Sequence, residues 1–194
     1  MSDILEIIKK RRSHRKYRTE QIKREEIELI IQAAKATPTG GNKQGLHFLV
    51  IQNKEVLNRL AELIIQEFRN YEVTDSVYPN ILRAVSLAKK DNYNFFYHAP
   101  TLIVVAGEDG NLNGFAEAGA AMQNMMLEAT ELGIANCWIN QLRWLDDNKT
   151  IHEYLEGFGL KKNEVVRASL ALGYPEGNIS EKAPGLVGME VTYI

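Results

Sequence analysis

Residues 112–132 combine helical composition with an apolar surface on nearly all sides, and this segment constrains the fold more than any other. It is rich in alanine and glycine. A helix that has no polar face must be covered, and small side chains let neighbouring elements approach closely. Gly133 follows at the position where glycine commonly ends a helix. The sequence therefore predicts a buried central helix, which one domain of this size rarely covers alone.

The rest of the chain shows shorter periodic segments of both kinds. Apolar spacing predicts helices at 4–12, 23–36, 54–68, 79–88 and 147–157, and strands at 47–52, 101–106, 134–139 and 164–173. The tail from Glu176 onward has no helical period, and Met189–Ile194 alternates as an edge strand would. Because helices outnumber strands, this inventory predicts an α+β fold in which a small sheet is surrounded by helices.

Length and composition are typical of a globular protein. With 194 residues, of which 45% are hydrophobic and 25% charged, the chain is expected to form one domain over 1–194. No apolar run reaches the ~18 residues of a membrane span. The N-terminus has the pattern of a capped helix and not of a signal peptide. The single cysteine, Cys137, excludes an internal disulfide and indicates a reducing compartment, so a cytoplasmic location is expected.

Two polar segments carry the functional signal. The loop Pro38–Gln44 offers a hydroxyl, two carboxamides, a lysine and adjacent glycines, which suit a flat polar ligand, although an ordinary helix-to-strand turn uses similar residues. The segment Lys9–Arg18 carries seven formal positive charges in a chain of net charge −2. The end of a helix favours the first few cations. Those beyond it, such as Arg15, suit phosphates or the oxygen-rich edge of a heterocycle.

Both segments also match known motifs. Arg11–Tyr17 reads Arg-Arg-Ser-His-Arg-Lys-Tyr, and the loop reads Pro-Thr-Gly-Gly-Asn-Lys-Gln. With these two motifs the chain resembles the nitroreductase family of FMN-dependent oxidoreductases. It departs from the family at Gly45-Leu46, where the family usually has Pro-Trp. Further pieces follow in the family's order, namely Asn94–Pro100, Gln123–Leu127, Asn136–Leu142 and Ala171–Pro175.

The resemblance implies a fold, an assembly and a reaction. The family's sheet is mostly antiparallel and is completed by the C-terminal tail of the other subunit of a homodimer. Two FMN molecules lie at the dimer interface. The expected reaction moves a hydride from NADH or NADPH to the flavin, and then electrons to a nitroaromatic, a quinone or a similar small acceptor, by a ping-pong mechanism. The flavin carries this chemistry, so no catalytic side chain is expected.

The resemblance also implies roles for the basic segment. Arg11 matches the family's phosphate-binding arginine, and Arg12 is expected to contribute through its backbone. Ser13 and Arg15 match positions that bind the ribityl chain and the N1–C2 oxygen edge of the flavin, where Arg15 would favour negative charge on the reduced ring. Lys182 matches the lysine of a Lys-x-Arg pair that finishes the phosphate site, and the arginine of that pair is missing here.

Two further groups of residues are implied to contact the flavin. One group is the loop that reaches across the interface to the flavin bound mainly by the partner: Pro38, Thr39, Asn42 and Gln44. The other is a strand end that lies against one ring face and points a backbone N–H at N5: Trp138, Ile139, Asn140 and Gln141.

Other classes of function have weaker support. The four histidines show no metal-ligand spacing, so no metal is expected. A pI near 6.1 and the lack of an aromatic platform argue against nucleic-acid binding by the basic segment. Cys137 is expected to be a buried strand residue and not a nucleophile. Two functions stay open: a flavin-binding carrier or sensor without turnover, and a family member with flavin-fragmenting or reductive dehalogenating chemistry. Apart from the helix predicted at 79–88, the stretch 70–94 carries no signature that indicates a substrate.

Overall fold

The computed structural model describes residues 3–74, 76–179 and 189–194. Its helices are α1 (Asp3–Lys10), α2 (Arg24–Lys35), α3 (Lys54–Arg69), α4 (Pro79–Ala88), α5 (Gly114–Glu131) and α6 (Lys149–Glu156). Its strands are β1 (Leu46–Ile51), β2 (Thr101–Glu108), β3 (Ala135–Ile139) and β4 (Glu164–Gly173). The predicted α+β class is confirmed. The prediction of one domain over 1–194 stays a prediction.

The four strands form one sheet in the order β1-β2-β4-β3, and each neighbouring pair is antiparallel. This confirms the antiparallel sheet that the resemblance implied. The central strands β2 and β4 are buried along almost their whole length. A central strand covered on both faces needs apolar side chains on both, which explains the continuous apolar run of β2.

Two helical layers cover the sheet. On one face α2 and α5 pack against Ile103 and Val105 of β2. On the other face α3, α4 and α6 pack against Leu102 and Val104. Neighbouring residues of one strand point to opposite faces of the sheet. Strand β2 therefore contributes side chains to the hydrophobic core on each face. The result is a three-layer arrangement with the sheet in the middle.

Helix α5 is the predicted central helix, but a single chain covers only part of its surface. Ala118, Met122 and Met125 are buried against the sheet and α2. On the outward side Ala116 is exposed, and Phe115 in the first turn of the helix keeps 45% of its surface exposed. One apolar face of α5 is therefore open within the chain.

The C-terminal tail differs from its prediction. Residues 189–194 were expected to be an edge strand, and the structure gives them no strand pairing. Met189 and Tyr193 are 90% and 93% exposed. A strand forms only when a neighbouring strand accepts its hydrogen bonds, and no strand of the described chain pairs with this tail. Within the described ranges, no helix combines the length and apolarity needed to cross a bilayer.

Candidate functional site

The basic segment that follows α1 lies along the outer edge of β3. Ser13 forms a parallel bridge with Asn136, and the His14 N–H donates to the Asn136 carbonyl at 2.9 Å. Further along, Tyr17 bridges Pro175 just after β4. Because β3 is an edge strand, this segment satisfies backbone groups that would otherwise be open. The pairing fixes the register of the cationic side chains against the end of the sheet.

The buried side chain of Tyr17 anchors this segment to the core. It is 9% exposed, and its hydroxyl donates to the His14 carbonyl at 2.6 Å. Its ring lies against Gly173, where a Cβ atom would stand 3.1 Å from Tyr17 Cδ1 and 2.7 Å from Pro100 Cδ. Only glycine fits there without displacing a ring. The anchored backbone leaves Ser13 and Arg15 exposed.

Cys137 is buried in β3, next to the same segment. Burial raises the pKa of its thiol, although the charge of Arg15 and a hydrogen bond with Ser13 act in the opposite direction. A nucleophilic cysteine needs a stabilised thiolate, and here the neutral thiol is favoured. This geometry agrees with the predicted role of Cys137 as a buried strand residue.

A cavity of about 700 Å³ opens beside β3 and contains Arg15. The Arg15 guanidinium carbon lies 5.6 Å from the centroid of the Tyr97 ring, a distance typical of a cation–π contact. The aromatic walls are Tyr93, Tyr97, Trp138 and Trp144. The structure thus brings Arg15 together with the predicted strand end Trp138–Gln141, while Arg11, Arg12 and Ser13 do not line this cavity.

The end of β3 carries a short chain of hydrogen bonds. Trp138 Nε1 donates to Asn140 Oδ1 at 2.9 Å, and the Asn140 N–H donates to Gln141 Oε1 at 3.2 Å. Gln141 Nε2 in turn donates to the Tyr93 hydroxyl at 3.2 Å. Burial raises the pKa of Tyr93, a shift that the Gln141 bond and the charge of Arg83 oppose. The Asn140 N–H is therefore held by an adjacent side chain, a contact that an acceptor atom of a ligand could replace.

A strained turn within Asn94–Pro100 forms the cavity wall beside Arg15, and the sequence indicated the motif but not this conformation. Tyr97 and His98 have φ values of 59° and 55°, which side chains other than glycine rarely adopt. The Phe96 and His98 N–H groups both donate to Asn94 Oδ1, at 3.1 and 3.0 Å. Asn94 is 7% exposed. An asparagine that bonds the backbone two residues on is a known turn signal.

The loop Pro38–Gln44 lies away from this cavity. Thr39 and Gln44 line a separate hollow of about 350 Å³ with Leu46 and Phe48 of β1. Thr39 Oγ1 accepts the Gln44 N–H at 2.9 Å, and Pro38, Asn42 and Gln44 are exposed. Within one chain, then, the loop does not meet Arg15. Its implied contact with a flavin in the partner subunit stays a prediction, and Lys182 lies outside the described residues.

Glu117 ties the loop to the first turns of α5. Its Oε1 accepts the Gly40 N–H at 2.7 Å, and its Oε2 accepts from Asn111 Nδ2 at 3.0 Å. The carboxylate is 6% exposed. Gly40 approaches so closely that a Cβ atom there would stand 2.7 Å from Asn113 Nδ2. The loop is thus fixed to the helix whose outer face is open.

Across the described part of the chain, no cluster of His, Cys, Asp or Glu has the geometry to hold a metal ion. The site is built instead from arginines, amides and aromatic rings around a deep hollow. That set, on an antiparallel α+β scaffold, is typical of a protein that binds a flat ligand with negative charge.

The chain belongs to the nitroreductase family, whose sequence model matches residues 8–174. It is similar to a nitroreductase with bound FMN from Bacteroides fragilis NCTC 9343, with 31% identity, a TM-score of 0.87 and 100% of both chains covered. A BluB-like flavoprotein from Clostridium difficile 630 is 28% identical, with a TM-score of 0.78 and 100% of both chains covered. A protein of Archaeoglobus fulgidus, whose name provisionally assigns it NADH dehydrogenase or NAD(P)H nitroreductase activity, is 28% identical over 176 residues, covering 91% of this chain and 87% of its own.

Proposed function

We propose that this protein is an FMN-dependent oxidoreductase that accepts a hydride from NADH or NADPH and passes electrons to a small acceptor such as a nitroaromatic or a quinone. The observation that carries the proposal is the meeting of Arg15 and the end of β3 in one aromatic-walled cavity. Family membership and the FMN-bound relative with 31% identity support the cofactor.

The donor set fits FMN. Arg11 and Ser13 lie on the extended segment outside the cavity, where cationic and hydroxyl donors suit a phosphate and a polyol chain. Tyr97 and Trp138 supply flat walls for a ring system, and Arg15 supplies a cation beside them. When bound, FMN supplies the hydride-transfer chemistry. The chain's own residues bind the phosphate, orient the ring, exclude water from one face and stabilise negative charge at the ring edge.

Both substrates are expected to use this cavity in turn. No glycine-rich dinucleotide fingerprint follows a strand in the sequence, so the nicotinamide is expected to dock over the flavin and leave before the acceptor binds. Steady-state rates measured with NADH at several fixed acceptor concentrations should give parallel double-reciprocal lines. Intersecting lines would indicate a ternary complex. Failure of both NADH and NADPH to bleach the yellow holoprotein under argon would favour a flavin carrier or sensor without turnover.

We also propose that the protein acts as a homodimer in which α5 and the tail contact the second copy. The open apolar face of α5, the unpaired tail and the loop that lies away from its own cavity all support this assembly. The α5 face, the tail and the loop all expose surface that a second copy of the chain would cover.

Light scattering at micromolar concentration should give twice the 22.0 kDa mass of one chain. Replacing exposed Ala116 on the open face of α5 with arginine should raise the dimer dissociation constant by roughly 100-fold or more, because the charge would be buried without a partner. The matched control is Ser86→Arg, an exposed position on α4 in the other helical layer, which should leave the mass unchanged. A stable wild-type monomer that retains FMN would contradict the proposed assembly.

A further inference from the structure

Helix α4 forms one wall of the cavity, and its role is not explained by cofactor binding. Asn80, Arg83 and Leu87 all line the cavity. Residues at these spacings lie on the same face of a helix. Pro79 occupies the first helical turn, where its fixed φ favours helix formation. The helix therefore presents one amide, one cation and one apolar side chain to whatever enters the cavity.

The charge of this cavity is unbalanced. Arg15 and Arg83 line it, and no aspartate or glutamate is among its described lining residues. In the described ranges Arg83 forms no ion pair. Under the proposed function Arg15 serves the cofactor, which leaves Arg83 as a cation without an assigned partner. A cation in a cleft that lacks acidic side chains attracts anions.

Aromatic side chains stand near this cation. Tyr93 lies close enough to Arg83 to be affected by its charge, and Trp144 lines the same cavity. Trp144 is held in place by Tyr78, with ring centroids 6.2 Å apart in an edge-to-face arrangement. Flat apolar walls with one cation at the side match a ligand that has an aromatic ring and one anionic substituent.

We propose that Arg83 selects acceptors that carry a carboxylate on an aromatic ring. This inference rests on the proposed function, since it names the acceptor class of the same cavity. The planar guanidinium can bind a carboxylate through two parallel N–H bonds, and Asn80, one turn earlier, adds an amide to the same wall. Arg83 is a specificity-determining residue and takes no part in hydride transfer.

The first test measures binding alone. The FMN-loaded protein is titrated with benzoate and with benzamide, its neutral analogue, and the change in flavin absorbance gives each dissociation constant. Arg83→Gln should weaken benzoate about tenfold, because an exposed cation contributes less than a buried one. Benzamide binding should stay within twofold, and Arg83→Lys should recover part of the benzoate affinity. Lys90→Gln, which removes the same charge from an exposed residue just after α4, is the matched control and should change neither constant.

The second test measures turnover with 4-nitrobenzoate and 4-nitrobenzamide. The ratio of their kcat/KM values should fall about tenfold in Arg83→Gln, with the 4-nitrobenzamide value and the rate of reduction by NADH retained. Unchanged benzoate affinity in Arg83→Gln would overturn the inference, and so would an equal loss in Lys90→Gln. If only reduction by NADH slows, Arg83 serves the nucleotide phosphates and the inference fails. If neither nicotinamide reduces the flavin, the proposed function fails, while the benzoate titration still decides the role of Arg83.

Discussion

Replacing Asn94 with alanine should lower the free energy of unfolding by about 3 kcal/mol, because two backbone N–H groups would lose their acceptor. Asn94 Oδ1 accepts from Phe96 and His98, and the side chain is 7% exposed. A buried donor without a partner loses its hydration and gains nothing in return. The same bonds hold Tyr97 and His98 at positive φ, a conformation that persists only when its surroundings enforce it. The variant should therefore also lose the position of the Tyr97 ring beside Arg15.

Urea unfolding followed by circular dichroism measures this loss. Asn94→Asp keeps an oxygen acceptor at the same place and should retain most of the stability, which makes it the matched control. The affinity for FMN should fall in Asn94→Ala and stay close to wild type in Asn94→Asp. Equal urea midpoints for wild type and Asn94→Ala would show that the turn does not depend on this side chain.

Replacing Arg15 with alanine should lower the two-electron potential of the bound flavin by roughly 45 mV, which corresponds to a charge-assisted bond of about 2 kcal/mol. Arg15 lines the cavity and is exposed, so the proposed contact with the flavin would place a full positive charge where negative charge develops on reduction. Losing that charge disfavours the reduced form. Reduction by NADH should slow in parallel.

A redox titration against a reference dye gives the potential directly. Lys16→Ala removes a charge from the neighbouring exposed residue, which does not line the cavity, and should leave the potential unchanged. Arg11→Ala should mainly weaken FMN binding through its phosphate, with little change in potential. An Arg15→Ala variant with the wild-type potential would remove Arg15 from its proposed role.

Many of the helices and strands could be predicted because the apolar spacing and the turn residues of the sequence mark them clearly. The predicted limits of β4 and α4 agree with the structure, and α4 begins with Pro79, a residue favoured in the first helical turn. The basic segment and the end of β3 were assigned to one site from their motifs alone, and Arg15 does meet Trp138–Gln141 in one cavity. In these regions, sequence periodicity and motif pattern indicate the same structure.

The rest depended on tertiary structure. Positive φ at Tyr97 has no signal in its residue type, and histidine, although enriched in that conformation, adopts it too rarely for His98 to predict it. The α4 wall of the cavity lies in the stretch 70–94, where the helix itself was predicted but no functional motif was recognised, so Arg83 was not foreseen. Apolar and polar residues alternate in the tail at 189–194 as they do in a strand. A strand also needs a neighbouring strand to pair with, and the sequence of the tail does not reveal whether it has one.

The pairing of Ser13 with Asn136, and of Tyr17 with Pro175, has a consequence for how the protein is made. The N-terminal half of the site has no backbone partner until β3 and the end of β4 exist. Contacts between distant parts of a chain form late, because closing a long loop costs entropy before any contact repays it. On the ribosome, Arg15 would emerge long before Asn136 and Pro175, so its position in the site cannot be fixed until β3 and the end of β4 have been synthesised. A product truncated before β3 is therefore expected not to bind the flavin.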